Sequence, residues 1–168
     1  VPLKFVSCGG SFLVFITVDQ KLYLMDTTHS NPSPRLVEAL ADHEVVEAAC
    51  SPEGFVVAIT AAGVAYQVQQ PAGLVDRAKA GDVKAKELMS SGMLATFGRL
   101  HELQLPVSVS RCSCGALHFL LLSTEGLIFA AGHGSQLGLG SQVTKTTQPV
   151  CIQGLSHLQV NDIAAGVT

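Results

Sequence analysis

The chain has 168 residues, 48% hydrophobic and only 14% charged, with ten Lys and Arg against thirteen Asp and Glu for a formal net charge of −3. Ordinary soluble domains carry about 25% charged residues, so a disordered tail is excluded, and the lack of a basic excess argues against a general phosphate-backbone binder. So apolar a chain reads as core with less solvated surface than an independent domain carries, and Val1 in place of Met suggests a piece of a longer chain.

The first stretch, Val1 to Val18, has one Lys and an apolar run, as a secretory leader would. Asp19 and Lys21 follow where a small-residue cleavage site should stand, so it reads as a strand. The longest uncharged run, Gly54 to Val75, is interrupted by Gln67, Gln69, Gln70 and Pro71. Its apolar part is too short for the roughly 20 residues a spanning helix needs, and no membrane insertion is expected.

One pattern occurs three times. Cys8, Thr17 and Tyr23 are matched by Cys50, Thr60 and Tyr66, and again by Cys114, Ser123 and Phe129, with the aromatic residue always six positions after the hydroxyl. Each copy has an apolar run, a short turn at Asp19-Gln20, Ala62-Gly63 or Glu125-Gly126, and a second apolar run, which is the signature of a β-hairpin. A further strand start at Ile163, Ala164, Ala165 and Gly166 follows the third copy. Such spacing, near the ~40–50 residues of a propeller blade, predicts an all-β fold of stacked blades.

Between the second and third hairpins lies a charge-rich insertion, 76–92. Asp82 suits an N-cap and Gly92 a C-cap, so the segment reads as a short helix projecting from a blade edge. It is either a solvated decoration or a partner-contact element with Val83, Leu88 and Met89 as its apolar side.

The remaining candidates read as structure. The glycine-rich run from Gly132 to Gly140 lacks the Lys-Ser/Thr ending of a phosphate-cradling loop and suits a blade-connecting turn. Cys112 and Cys114 share a strand face, but no second Cys or His pair stands at a zinc-binding spacing. Five cysteines, an odd number in a chain large enough to fold without disulfides, point to reduced thiols in the cytoplasm or nucleus. His118 reads as a core histidine bonded to a neighbouring backbone, and His29, His43, His101, His133 and His157 as surface residues in loops. Glu38, Asp42, Glu44, Glu47 and Glu53 crowd the start of the second unit, as a solvated edge or an acidic contact for a basic partner. No catalytic residue, cofactor-binding residue or metal ligand is assigned, no cofactor is expected, and the chain is not expected to be an enzyme.

The third unit carries a more specific pattern: Cys114, Gly115, His118, Glu125, Gly126, Phe129, Gly132, then Gln136, Leu137, Gly138 and Gly140. It continues through Pro149, Val150, Leu155, Val160 and Ile163 to Ala164, Ala165 and Gly166. It resembles the regulator of chromosome condensation repeat family, whose fold is a seven-bladed β-propeller. The first two units are degenerate, with Phe12 and Phe55 at the family's His position and Met25-Asp26 and Val68-Gln69 at its Trp-Gly; in the third unit the Trp position is Ala131. The resemblance implies a partial ring, with blade units near 1–44, 45–106 and 107–159, the next starting at 160–168, and 76–92 as the helical insertion. It further implies a non-catalytic protein-binding scaffold within a larger protein or assembly, with one or more protein partners. The alternative is guanine nucleotide exchange on a small GTPase, for which no matching wedge loop is identifiable.

Overall fold

The computed structural model describes residues 2–10, 12–27, 31–69, 81, 83 and 99–166. Within them, three antiparallel sheets of four strands follow one another along the chain, each in simple sequence order. The first holds β1 (Leu3–Cys8), β2 (Phe12–Thr17), β3 (Leu22–Asp26) and β4 (Arg35–Leu36). The second holds β5 (Val45–Cys50), β6 (Phe55–Thr60), β7 (Ala65–Gln69) and β8 (Arg99–Glu102). The third holds β9 (Val109–Cys114), β10 (His118–Ser123), β11 (Ile128–His133) and β12 (Lys145–Cys151).

The second strand of each sheet is rich in β-branched, leucine and aromatic residues, which suit a pleated surface, and nearly all of it is buried. Burial on both faces follows from stacking. Val14, Ile16, Leu22 and Leu24 of the first sheet pack on Val45, Ala48, Val56, Ala58 and Val68 of the second. Val57, Ile59 and Ala65, on the other face of the second sheet, pack on Phe119, Leu121, Phe129 and Ala131 of the third. The middle blade is thus covered on both sides, which accounts for so little charge in so apolar a chain.

The repeated hydroxyl closes the hairpin turn. Thr17 Oγ1 accepts from the Lys21 N–H at 3.1 Å, Thr60 Oγ1 from the Val64 N–H at 3.3 Å, and Ser123 Oγ from the Leu127 N–H at 2.9 Å. All three side chains are buried, so a residue lacking the oxygen would leave a turn N–H unpaired. The turn ends in a left-handed residue: Gly63 (φ 77°), Gly126 (φ 85°) and, in the first blade, Gln20 (φ 61°).

A ladder of backbone bonds joins each turn to the following blade. The Val45 N–H donates to the Gln20 carbonyl at 2.8 Å, Val109 to Gly63 at 3.0 Å and Val160 to Gly126 at 3.4 Å. The chain after β12 therefore continues the register that starts each of the two preceding sheets. Of the insertion, Val83 is helical and 68% exposed; Leu88, Met89 and the rest of the expected helix lie outside the described residues.

Candidate functional site

The thiols sit at the seams between blades. Cys50 Sγ donates to the Ser7 carbonyl at 3.7 Å, and Cys114 Sγ to the Ala49 carbonyl at 3.5 Å. Each cysteine thus reaches the residue just before the matching cysteine of the previous blade. Cys112 Sγ adds a bond to the Val57 carbonyl at 3.6 Å. Burial pushes the Cys50 thiol up to about 12 and raises those of Cys112 and Cys114 as well, which makes them poor nucleophiles and poor metal ligands. In the fourth position Ala165 replaces the cysteine, and its N–H donates to Ser113 Oγ at 2.9 Å. Among the described residues, no group of three or more His, Cys, Asp or Glu side chains is placed to hold a metal ion, and no helix is long and apolar enough to cross a membrane.

The glycine-rich run connects β11 to β12 and is pinned by buried Leu137, with left-handed glycines at 132, 134, 138 and 140. Gly132 is obligatory, because a Cβ there would collide with the Leu117 carbonyl. His118 is buried beside Gly115, where there is room only for hydrogen, and desolvation lowers its pKa.

Of the other histidines, His101, His133 and His157 are exposed as expected, but two of them stand on strands and His43 is half-buried. His101 lies in β8 and His133 ends β11. His43 is half-buried with its ring edge-on to Tyr66 at 5.1 Å. Of the rest, His157 is exposed in a turn, and His29 lies outside the described residues. Loop-like polarity around these histidines concealed strands that run outward along the blade edge, where side chains are solvated on one side.

The five carboxylates do not form one group. Glu38, Asp42 and Glu44 lie exposed in the linker from β4 to β5. Glu47 is half-buried in β5, and desolvation raises its pKa against the pull of Arg111. Arg111 Nε stands 3.8 Å from Asp162 Oδ1. Glu53 lies at the opposite end of the blade, in the turn between β5 and β6.

Glu53 instead belongs to an open cleft of about 690 Å³ where the second and third blades part. Phe55, Gln67 and His101 line it from the second blade, Phe119 and His133 from the third. The rings of Phe55 and Phe119 meet edge to face at 6.1 Å. His101 Nε2 and Gln148 Nε2 are 2.9 Å apart, a bond in which the histidine nitrogen accepts. Sequence reasoning missed this cleft because its residues come from six strands of two blades. The signal within reach was the small pair Ala131-Gly132 at the family's Trp-Gly position.

No family model matches the chain. Human E3 ubiquitin-protein ligase HERC2 is 24% identical over 164 residues, covering 96% of this chain and 3% of that protein; the mouse protein matches to the same extent. The structure of human WBSCR16 superposes with a TM-score of 0.72 at 21% identity, covering 98% of this chain and 43% of the other. Yeast RCC1 (Prp20), solved bound to Kap60, gives a TM-score of 0.65 at 17% identity, covering 98% and 40%. The chain thus spans about two-fifths of these solved structures and a small fraction of its curated relatives. Three stacked antiparallel meanders joined by a repeating backbone ladder define a β-propeller repeat protein. Its blades share the fold of human WBSCR16 and yeast RCC1 (Prp20), the fold that the motifs of the third unit implied.

Proposed function

We propose that the chain is a stretch of a β-propeller that serves as a non-catalytic protein-binding platform, with blade units near 1–44, 45–106 and 107–159 and a further blade starting at 160–168. The observation that carries this reading is the face formed by the hairpin turns and inter-blade linkers. It is laced by backbone bonds from blade to blade, and Asp19, Glu38, Asp42, Glu44 and Glu125 are exposed on it. Lys21, the cation in its first turn, is engaged at its Nζ by the Ala41 carbonyl at 2.6 Å. A rigid, predominantly acidic surface costs little ordering on association and favours encounter with a basic partner. The five cysteines are unpaired, which fits a reducing compartment, cytoplasm or nucleus. In this reading Val83, Leu88 and Met89 of the insertion form a second, apolar contact.

The alternative is guanine nucleotide exchange. It is favoured by the fold shared with yeast Prp20p, which was studied for its binding to Gsp1p and histones. Affinity capture with the full-length protein separates the two. A stoichiometric protein partner lost on changing Glu38, Asp42 and Glu44 together to Lys is the expected result. Recovery of a nucleotide-free small GTPase alone, with accelerated nucleotide release, would replace the platform by the exchange factor.

A further inference from the structure

The seam between the second and third blades buries a polar group that its neighbours leave unpaired. Gln67 is 8% exposed and lines the cleft, and among the described residues none makes a hydrogen bond to its amide. Its amide is turned into the open cleft at a place where an apolar side chain could pack, so its retention asks for a cause. The first seam shows the apolar solution: the matching residue there is Leu24, packed with Val68. In the second seam Gln67 takes the place of Leu24, and Ala131 takes the place of Val68. The first change brings in an amide and the second removes the side chain that would cover it. Gly132, beside Ala131, leaves the cleft open to solvent.

We propose that this cleft binds an arginine side chain presented by an exposed segment of a partner protein. Among the described lining residues Glu53 is the sole formal charge, and a carboxylate matches the planar fork of a guanidinium, which can donate two parallel bonds to it. The Gln67 carbonyl oxygen is a further acceptor for the remaining N–H groups. Phe55, backed by the buried Phe119 ring, supplies an aromatic wall on which a weakly hydrated guanidinium packs and which a strongly hydrated ammonium uses less well. Lys145, opposite His133 in β12, is not among the described lining residues.

The inference rests on the protein-binding reading only for the source of the arginine, and its test uses a small probe. Full-length protein carrying 4-fluorophenylalanine is titrated with N-acetyl-arginine methylamide and with its neutral citrulline isostere, and fluorine NMR is read at positions 55 and 119. The expected result is a saturable shift at both positions with the citrulline probe weaker by about tenfold or more, as for loss of a charge-assisted pair. Glu53→Gln should shrink that difference to about twofold. Gln67→Leu should weaken the arginine probe while leaving the unfolding midpoint unchanged or higher. Equal binding of the two probes, or no shift at positions 55 and 119, overturns the cleft as an arginine site. A partner still captured after Glu38, Asp42 and Glu44 are changed to Lys, with the probe result intact, would overturn the acidic platform alone.

Discussion

The two seams are built from one repeat and solve the same packing problem differently. Both bring the second and third strands of one blade against the first three strands of the next, and both are dry at their centres, where Ile16 and Leu121 are fully buried. They part toward the outer strands. The first seam stays apolar, with Leu24 and Val68, while the second carries Gln67 and small Ala131 and opens into the cleft. The comparison separates what the fold requires from what it tolerates: the inner strands must interdigitate, but the periphery can give up packing for chemistry.

The largest expected effect tests the shared part. Ile16→Ala in the first seam and Leu121→Ala in the second should each lower unfolding stability by about 2–5 kcal/mol, the range for large-to-small changes at sites that cannot collapse. Chemical denaturation of the two variants checks this. The seams are alike at their centres if the two losses agree within about 1 kcal/mol, since differences of that order arise from local relaxation. A Leu121→Ala loss below about 1 kcal/mol would show that the second seam is loose throughout and that the cleft merely reports it.

The thiols provide the next comparison, because one donates across the first seam and two across the second. The folded Cys50 thiol is held up near 12 against an ordinary value of 9.0. Between those values the unfolded chain releases the proton and the folded chain keeps it. Stability is therefore unaffected below pH 9 and falls as pH rises through the window, by about 1.4 kcal/mol per pH unit for each such thiol. Denaturation midpoints taken between pH 8 and 11 should show a steep decline. Cys50→Ala should remove the smaller share of it, and Cys112→Ala with Cys114→Ala the larger. An undiminished slope in the double variant would mean that the second-seam thiols titrate freely. Cys8 stands at the matching position of the first blade and is exposed, so it should be alkylated well before the other three.

Much of this architecture was legible from residue order alone. Thr17, Thr60 and Ser123 mark the turns because a buried N–H needs their oxygen, and the aromatic residue six positions on marks the return strand; both are local requirements that a sequence must state explicitly. The cysteines were read as core filler, and the structure adds that they also bond to the previous blade. The cleft was not legible, since Glu53, Gln67 and His101 come from separate parts of the second blade and meet His133 only across a seam. Read singly, Gln67 interrupted an apolar run and argued against a membrane span, and the two histidines read as loop residues. Its burial became visible only when Leu24 could be set beside it at the same place in another blade.

The smallest effect concerns the turn that closes each hairpin. Gly63 and Gly126 take the left-handed conformation without cost, whereas Gln20 holds φ 61° with a side chain, a strain of roughly 1 kcal/mol for a residue with a Cβ. Glycine also gives the unfolded chain more freedom, which offsets part of the relief. Gln20→Gly should therefore raise stability by a few tenths to about 1 kcal/mol, read as a small upward shift of the denaturation midpoint. The reverse change is asymmetric. Gly63→Ala would add the same backbone strain and drive a Cβ to 2.6 Å from that of Ser108, so it should cost about 2 kcal/mol or more. A destabilised Gln20→Gly variant would show that the first turn gains more from its side chain than it loses to the backbone, and that the equivalence of the three turns ends at that residue.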